Sequence, residues 1–86
     1  MKHDRFELIY REYFNKIKFY IRNLSSNESL AEDLAQDTFF KIMMYLTENT
    51  ETSVTFTWVM KIAHNLFIDY VRKHKVKLVN LNDFQE

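Results

Sequence analysis

No glycine and no proline occurs anywhere in this chain of 86 residues. Tight turns between strands draw on glycine for positive φ and on proline for a pre-set φ. A chain that lacks both is steered towards helices, whose backbone hydrogen bonds close within each segment. The expected fold class is therefore all-α: a compact bundle of three main helices around one core. A chain this short buries only roughly 60–65% of its unfolded surface, so that core must be dense. The composition meets the demand, with 47% apolar residues that include eight Phe, five Tyr and one Trp. Cysteine is absent, which removes disulfides and thiolate metal sites from consideration.

Three helical stripes can be read at about 100° per residue. The first runs from about Asp4 to Leu24 and keeps Phe6, Ile9, Tyr10, Tyr13, Phe14, Ile17, Tyr20, Ile21 and Leu24 on one face. Ser25, Ser26 and Asn27 break it. The second begins at Ser29-Leu30-Ala31-Glu32, which has the Ser-x-x-Glu form of a capping box, and continues to about Leu46. The third runs from Thr57, a plausible N-cap, to about Lys77. Between the last two helices, Thr47 to Thr55 is polar and β-branched and reads as a loop. Residues 1–77 form the helical domain, and Leu78 to Glu86 is a tail or the start of a linker whose Leu78, Leu81 and Phe84 are suited to pack back.

Helix three divides into two faces. Val59, Met60, Ile62, Ala63, Leu66, Phe67 and Tyr70 make a core stripe. Lys61, His64, Asn65, Ile68, Arg72 and Lys75 lie opposite, and the three cations, the imidazole and the amide among them suit phosphates and base edges. The plainer reading of the same face is a solvated helix back. Helix two is less ordinary. Ala31, Leu34, Ala35, Thr38, Phe39, Ile42, Tyr45 and Leu46 cover a core face, while Phe40, Met43 and Met44 point the other way among Glu32, Asp33, Gln36 and Asp37. An apolar centre with a polar rim is the composition of a protein interface. The alternative is that a fourth element, such as the tail, covers these side chains.

Net charge is zero, which counts against an independent DNA-binding domain. The charge is nevertheless segregated. Residues 1–27 carry six cations and three anions, residues 28–60 one cation and six anions, and residues 61–86 five cations and three anions. An acidic middle and a basic end suit two partners of opposite sign. No catalytic constellation is present. There is no His-Glu-x-x-His, no Glu-x-x-His pair and no glycine-rich phosphate loop, and His3, His64 and His74 are scattered. An enzyme, a resident metal and a cofactor are not expected. The charged N-terminus and the lack of a long apolar run speak against a signal peptide or membrane insertion, so the expected location is the cytoplasm.

Two blocks, LAEDLAQDTFFKI (Leu30–Ile42) and FTWVMKIAHNLFIDYVRKHK (Phe56–Lys75), resemble region 2 of bacterial sigma factors, most closely the extracytoplasmic-function (ECF) group of the sigma-70 family. The first matches the pattern A-E-D-L-x-Q-[ED]-x-F. The second matches T-W-L-x-x-I-A-x-N-x-x-x-D-x-x-R-[KR] through Trp58, Ile62, Ala63, Asn65, Asp69, Arg72 and Lys73. Helix one fits the family's F-x-x-[LI]-Y-x-x-Y start, so the resemblance spans roughly residues 6–77. It implies a helical bundle with a recognition loop before the last helix. It also implies that the second helix docks on the β′ coiled coil of core RNA polymerase through Glu32, Asp33, Gln36, Asp37, Phe40 and Met44. The loop, Thr47, Glu48, Asn49, Thr50, Glu51, Thr52, Ser53, Val54 and Thr55, would take an unstacked base of the promoter −10 element. Lys61, His64, Asn65, Ile68, Arg72, Lys73 and Lys75 would meet the flanking DNA, and Trp58 would support the base pocket.

Such a factor also carries region 4, which reads the −35 element and has no counterpart in these residues. The chain is then a fragment of a longer factor or a region-2 protein that works with a separate region-4 partner. An anti-sigma factor is a further partner class. Two rival readings stand beside this one. The first is a coactivator or decoy that binds polymerase or an anti-sigma factor without reading DNA. The second is an unrelated helical scaffold, which two ordered motifs disfavour.

Overall fold

The computed structural model describes residues 2–74. The expectations placed on Lys75, Lys77 and the 78–86 tail lie outside the described residues. Three helices follow one another: α1 (Lys2–Ser25), α2 (Glu28–Glu48) and α3 (Phe56–His74). No strand occurs among the described residues.

The α1–α2 reversal is made without glycine. Ser25 Oγ donates to the Ile21 carbonyl, and the Ser26 N–H donates to the Arg22 carbonyl at 2.7 Å, which closes the last turn of α1. Ser26 itself sits at φ 56°, the left-handed position that usually follows a helix. Asn27 is then extended (φ −136°, ψ 107°), and its Oδ1 accepts from the Leu30 N–H at 3.0 Å. Asn27 therefore caps α2, and the Ser29–Glu32 box does not. Once Ser26 has turned the chain, the next residue is already extended and in reach of the first free N–H groups, so Ser29 falls inside the helix. At the far end, Asn49 donates to the Tyr45 carbonyl from both its backbone N–H (2.9 Å) and its side-chain Nδ2 (3.0 Å). The cap of α3 is Thr55, whose Oγ1 accepts from the Trp58 N–H at 3.2 Å, two residues ahead of the expected Thr57.

The core lies where α2 packs between its neighbours. Leu30, Ala31, Leu34, Ala35, Thr38, Phe39, Ile42 and Leu46 of α2 are buried. They meet Ile17, Ile21 and Leu24 of α1 and Val59, Ala63 and Phe67 of α3. Thr38, the one buried polar side chain among the described residues, returns its hydroxyl to the Leu34 carbonyl at 2.8 Å. The N-terminal half of α1 is aromatic cladding. Tyr10 stacks on Phe14 at 4.6 Å between ring centroids and meets the edge of Phe39 at 5.3 Å.

Two expectations about the core shift. The buried line of α3 runs through Val59, Ala63 and Phe67, whereas Ile62, Leu66 and Tyr70 are half-buried on its flank. Tyr45 is 45% exposed rather than in the core. Both α1 and α2 cover α3, and their joint footprint is centred on one side of the broad apolar arc that the periodicity defines.

Two stability outcomes follow. Phe39→Ala should cost about 3–5 kcal/mol in urea denaturation, a large share of what a small domain holds. Ser26→Gly should stabilise by about 0.5–1 kcal/mol, because glycine carries no left-handed penalty, and should raise Tm by roughly 2–8 °C in a circular dichroism melt. A Tm unchanged or lowered by Ser26→Gly would show that this turn is not strained.

Candidate functional site

Burial of one face of α2 leaves the other face free. Phe40, Met43 and Met44 are 57%, 39% and 55% exposed. Asp33, Gln36 and Asp37 are exposed beside them. Glu32 differs from the rest of this set. It is half-buried at the α1 side, where its carboxylate takes the Lys18 ammonium at 3.5 Å and the Gln36 Nε2 at 3.5 Å. Lys18 also reaches Glu28 at 3.4 Å, and Arg22 meets Glu28 at 3.0 Å. Glu32, with Glu28 assisting, raises the Lys18 pKa above the ordinary lysine value. The ion cluster ties the start of α2 to α1. The freely presented face is therefore Asp33, Gln36, Asp37, Phe40 and Met44, joined by Met43.

On α3, Lys61, Asn65, Arg72 and Lys73 are exposed. Lys61, Asn65 and Arg72 share one line of the helix that spans roughly 16 Å. Lys73 is paired with Asp69 at 3.2 Å, whereas Lys61 and Arg72 make no ion pair among the described residues. His64 and Ile68 leave this face. Both are half-buried, and His64 Nδ1 is bonded to the Tyr20 hydroxyl of α1 at 2.7 Å. Ile68 packs against the core. The cause is the shifted footprint already described: α1 covers the side of α3 that carries these two residues.

Between the exposed faces of α2 and α3 lies an open cleft of about 580 Å³. Lys41, Met44, Tyr45 and Glu48 line it from α2, and Trp58, Ile62, Asn65 and Leu66 line it from α3. Tyr45 and Trp58 face each other there with ring centroids 5.5 Å apart. The exposed Tyr45 and the half-buried Ile62 and Leu66, with Met44 and Trp58, make this cleft apolar.

The connecting segment is shorter than expected, because Thr47 and Glu48 belong to α2 and Asn49 is its cap. The remainder is fixed from α1. Arg5 Nη1 donates to the Thr50 carbonyl at 2.8 Å, and Arg5 Nη2 donates to the Thr52 carbonyl. Thr52 N–H closes a turn on the Asn49 carbonyl at 3.1 Å. Val54 packs against the core, and Phe56 meets Tyr13 at 5.2 Å. Thr50, Glu51 and Ser53 keep exposed side chains. Arg5 is absent from the sequence-level site, and nothing local marks it: it lies 45 and 47 residues from its two acceptors. Among the described residues no three His, Asp or Glu side chains gather as a metal site.

Comparison with known proteins identifies the family. The model of the family described as Sigma-70 region 2 matches residues 9–76. The ECF RNA polymerase sigma factor SigM of Bacillus subtilis is 37% identical over 75 residues, which is 87% of this chain and 45% of that protein. The RNA polymerase sigma factor YlaC of the same organism is 39% identical over 74 residues, 85% of this chain and 43% of that protein. A third relative, the RNA polymerase sigma factor SigZ, is 26% identical over 85 residues and is covered to 48%. The chain spans about half the length of the curated relatives it matches. No solved structure matches. The chain belongs to the Sigma-70 region 2 family, and its relatives place it with region 2 of ECF sigma factors.

Proposed function

We propose that this domain binds core RNA polymerase through the outward face of α2 and recognises the promoter −10 element, helping to hold its melted strand, through α3 and the loop before it. The observation that carries the reading is the back of α2. Phe40 and Met44 stand in solvent, ringed by Asp33, Gln36 and Asp37, on a helix whose other face is fully buried. Leu8 and Phe19 of α1 are as exposed, at 65% and 61%, but stand apart from one another, whereas Phe40, Met43 and Met44 form a contiguous apolar group with a polar rim, the pattern of an interaction site. The β′ coiled coil of polymerase is the partner, and Glu32 acts there indirectly by holding α2 against α1. On the DNA side, Lys61 and Arg72 have no acceptor atoms and meet phosphates. Asn65 has both a donor and an acceptor and sits at the rim of the Tyr45–Trp58 cleft, where it is suited to read a base edge. Lys73 adds charge while paired to Asp69, and His64 and Ile68 contribute by holding α3 on α1. The outward side chains of Thr50, Glu51 and Ser53 meet the unstacked base. The domain's neutral charge fits a protein that polymerase positions on DNA in the cytoplasm. Region 4, in the same or a separate chain, supplies the −35 contact.

Phe40→Ala is expected to weaken binding to a β′ coiled-coil fragment by about 1–3 kcal/mol while leaving urea stability nearly unchanged. Unchanged capture of the fragment by Phe40→Ala and Asp33→Ala would reject the α2 assignment.

The DNA assignment separates into affinity and specificity. Arg72→Ala should weaken open-complex formation at every promoter and lower the salt slope by about one. Asn65→Ala should change which −10 base is preferred. The measurement is abortive transcription across a −10 substitution series, with polymerase carrying this domain joined to a region-4 partner. Identical profiles for wild type, Asn65→Ala and a loop-swapped variant would leave the coactivator reading, in which the domain binds polymerase and reads no DNA.

A further inference from the structure

We infer that Arg5, at the start of α1, is a positioning residue that sets the shape of the base-recognition loop and so its choice of −10 base. The inference rests on the −10 reading proposed above and extends it to a residue outside every motif.

The loop has an unusual problem. It must leave α2 at Asn49 and enter α3 at Thr55 with no glycine or proline to dictate a turn. Exposed carbonyls in such a segment can bond water, so without a fixed protein donor the loop samples many conformations. One guanidinium answers this need. Its two terminal nitrogens take the carbonyls of Thr50 and Thr52, on either side of Glu51. A guanidinium is planar and its donors are fixed relative to one another, so it sets the spacing of the two carbonyls as well as holding them. The Thr52 to Asn49 turn closes the first half of the loop, and the half-buried Val54, packed against the core, anchors the second half. Within this frame Glu51 and Ser53 are left exposed. Their positions, which would decide what base is accepted, are dictated by a side chain on another helix. The Arg5 guanidinium bonds the loop backbone and none of Asp33, Gln36, Asp37, Phe40 or Met44, so its effect on loop shape is separable from polymerase binding. The buried part of α1, Ile17, Ile21 and Leu24, lies more than two helical turns away, so replacing Arg5 should leave the bundle folded.

The test compares wild type, Arg5→Ala and Arg5→Lys as the full chain. Lysine keeps the charge but has one nitrogen and no fork. The first measurement is amide hydrogen exchange. Both variants should speed exchange at Thr52 on the order of tenfold, with the Ile42 and Ala63 amides unchanged. The second is anisotropy of −10 non-template-strand oligonucleotides, each carrying one base change, with bacterial core polymerase present. Both variants should bind polymerase as wild type does, and both should lose on the order of tenfold in preference at one −10 position. A merely structural role would lower affinity for all the oligonucleotides alike. Loop exchange unchanged in both variants overturns the clamp. Arg5→Lys indistinguishable from wild type overturns the fork geometry. Faster loop exchange with an unaltered base profile overturns the specificity role. If wild type itself shows no preference among the oligonucleotides, the −10 reading fails and the specificity role with it, while the exchange data still decide whether Arg5 holds the loop.

Discussion

Everything in this bundle depends on how closely α2 can approach its two neighbours. Ala31 and Ala35 on α2 and Ala63 on α3 are fully buried. Small side chains at these points bring the helix backbones together, and the large ones, Phe39, Ile42, Ile17, Ile21 and Phe67, fill the spaces on either side. The sole buried polar group among the described residues, Thr38, is satisfied within its own helix, so the interior needs no hydrogen bond across helices. Cross-helix polar contacts lie at the margins, among them Lys18 and Arg22 with Glu28, Lys18 with Glu32, Tyr20 with His64, and Arg5 with the loop. Nearly all the cohesion is therefore apolar and central, and the surfaces are left free to carry chemistry.

That division explains why one helix can serve two purposes. A helix of this length has room for a core stripe and an independent outer stripe, because residues three and four apart share a face. On α2 the buried stripe packs without Phe40, Met43 and Met44, which lie outside the core among the described residues. A contiguous exposed apolar group of this kind is what the proposed polymerase contact would cover. On α3 the separation is less clean. The half-buried Ile62 and Leu66 belong partly to the core and partly to the cleft that Tyr45 and Trp58 close, so changes there disturb packing and surface together.

The parts of this structure written in periodicity are legible in the sequence: three helices, their order, the α2 core face and the exposed apolar group behind it. Hydrophobic spacing is local, and local patterns survive without a tertiary context. The parts that depend on a neighbour are not. His64 looks like a member of the polar face until α1 brings Tyr20 beside it. Tyr45 looks like core until α3 is found to sit too far round to cover it. Helix ends err for a related reason. A capping box needs its serine at the boundary, and the boundary is set by Ser26 in a left-handed conformation that no residue preference announces. The sigma motifs identify α2 and α3 because they are written within single helices, whereas the Arg5 contact spans 45 residues and carries no local signature.

The missing glycines and prolines give this last contrast its meaning. Turns in most small domains are encoded by backbone-special residues, which act through their own φ. Here, apart from the left-handed Ser26, the turns are held by side chains that satisfy backbone groups: Ser25 and Asn27 at the first reversal, then Asn49, Arg5 and Thr55 at the second. Side-chain turns are only as rigid as their partners. The first reversal closes on residues beside it and on the Arg22–Glu28 ion pair, so it is self-contained. The second draws on α1, at the other end of the sequence. Its conformation is therefore a tertiary property, set by helix packing rather than by the loop's own residues. A loop built this way can vary its exposed side chains while the bundle maintains its frame, provided that the residue holding the frame lies outside the segment that varies. Arg5 meets that condition.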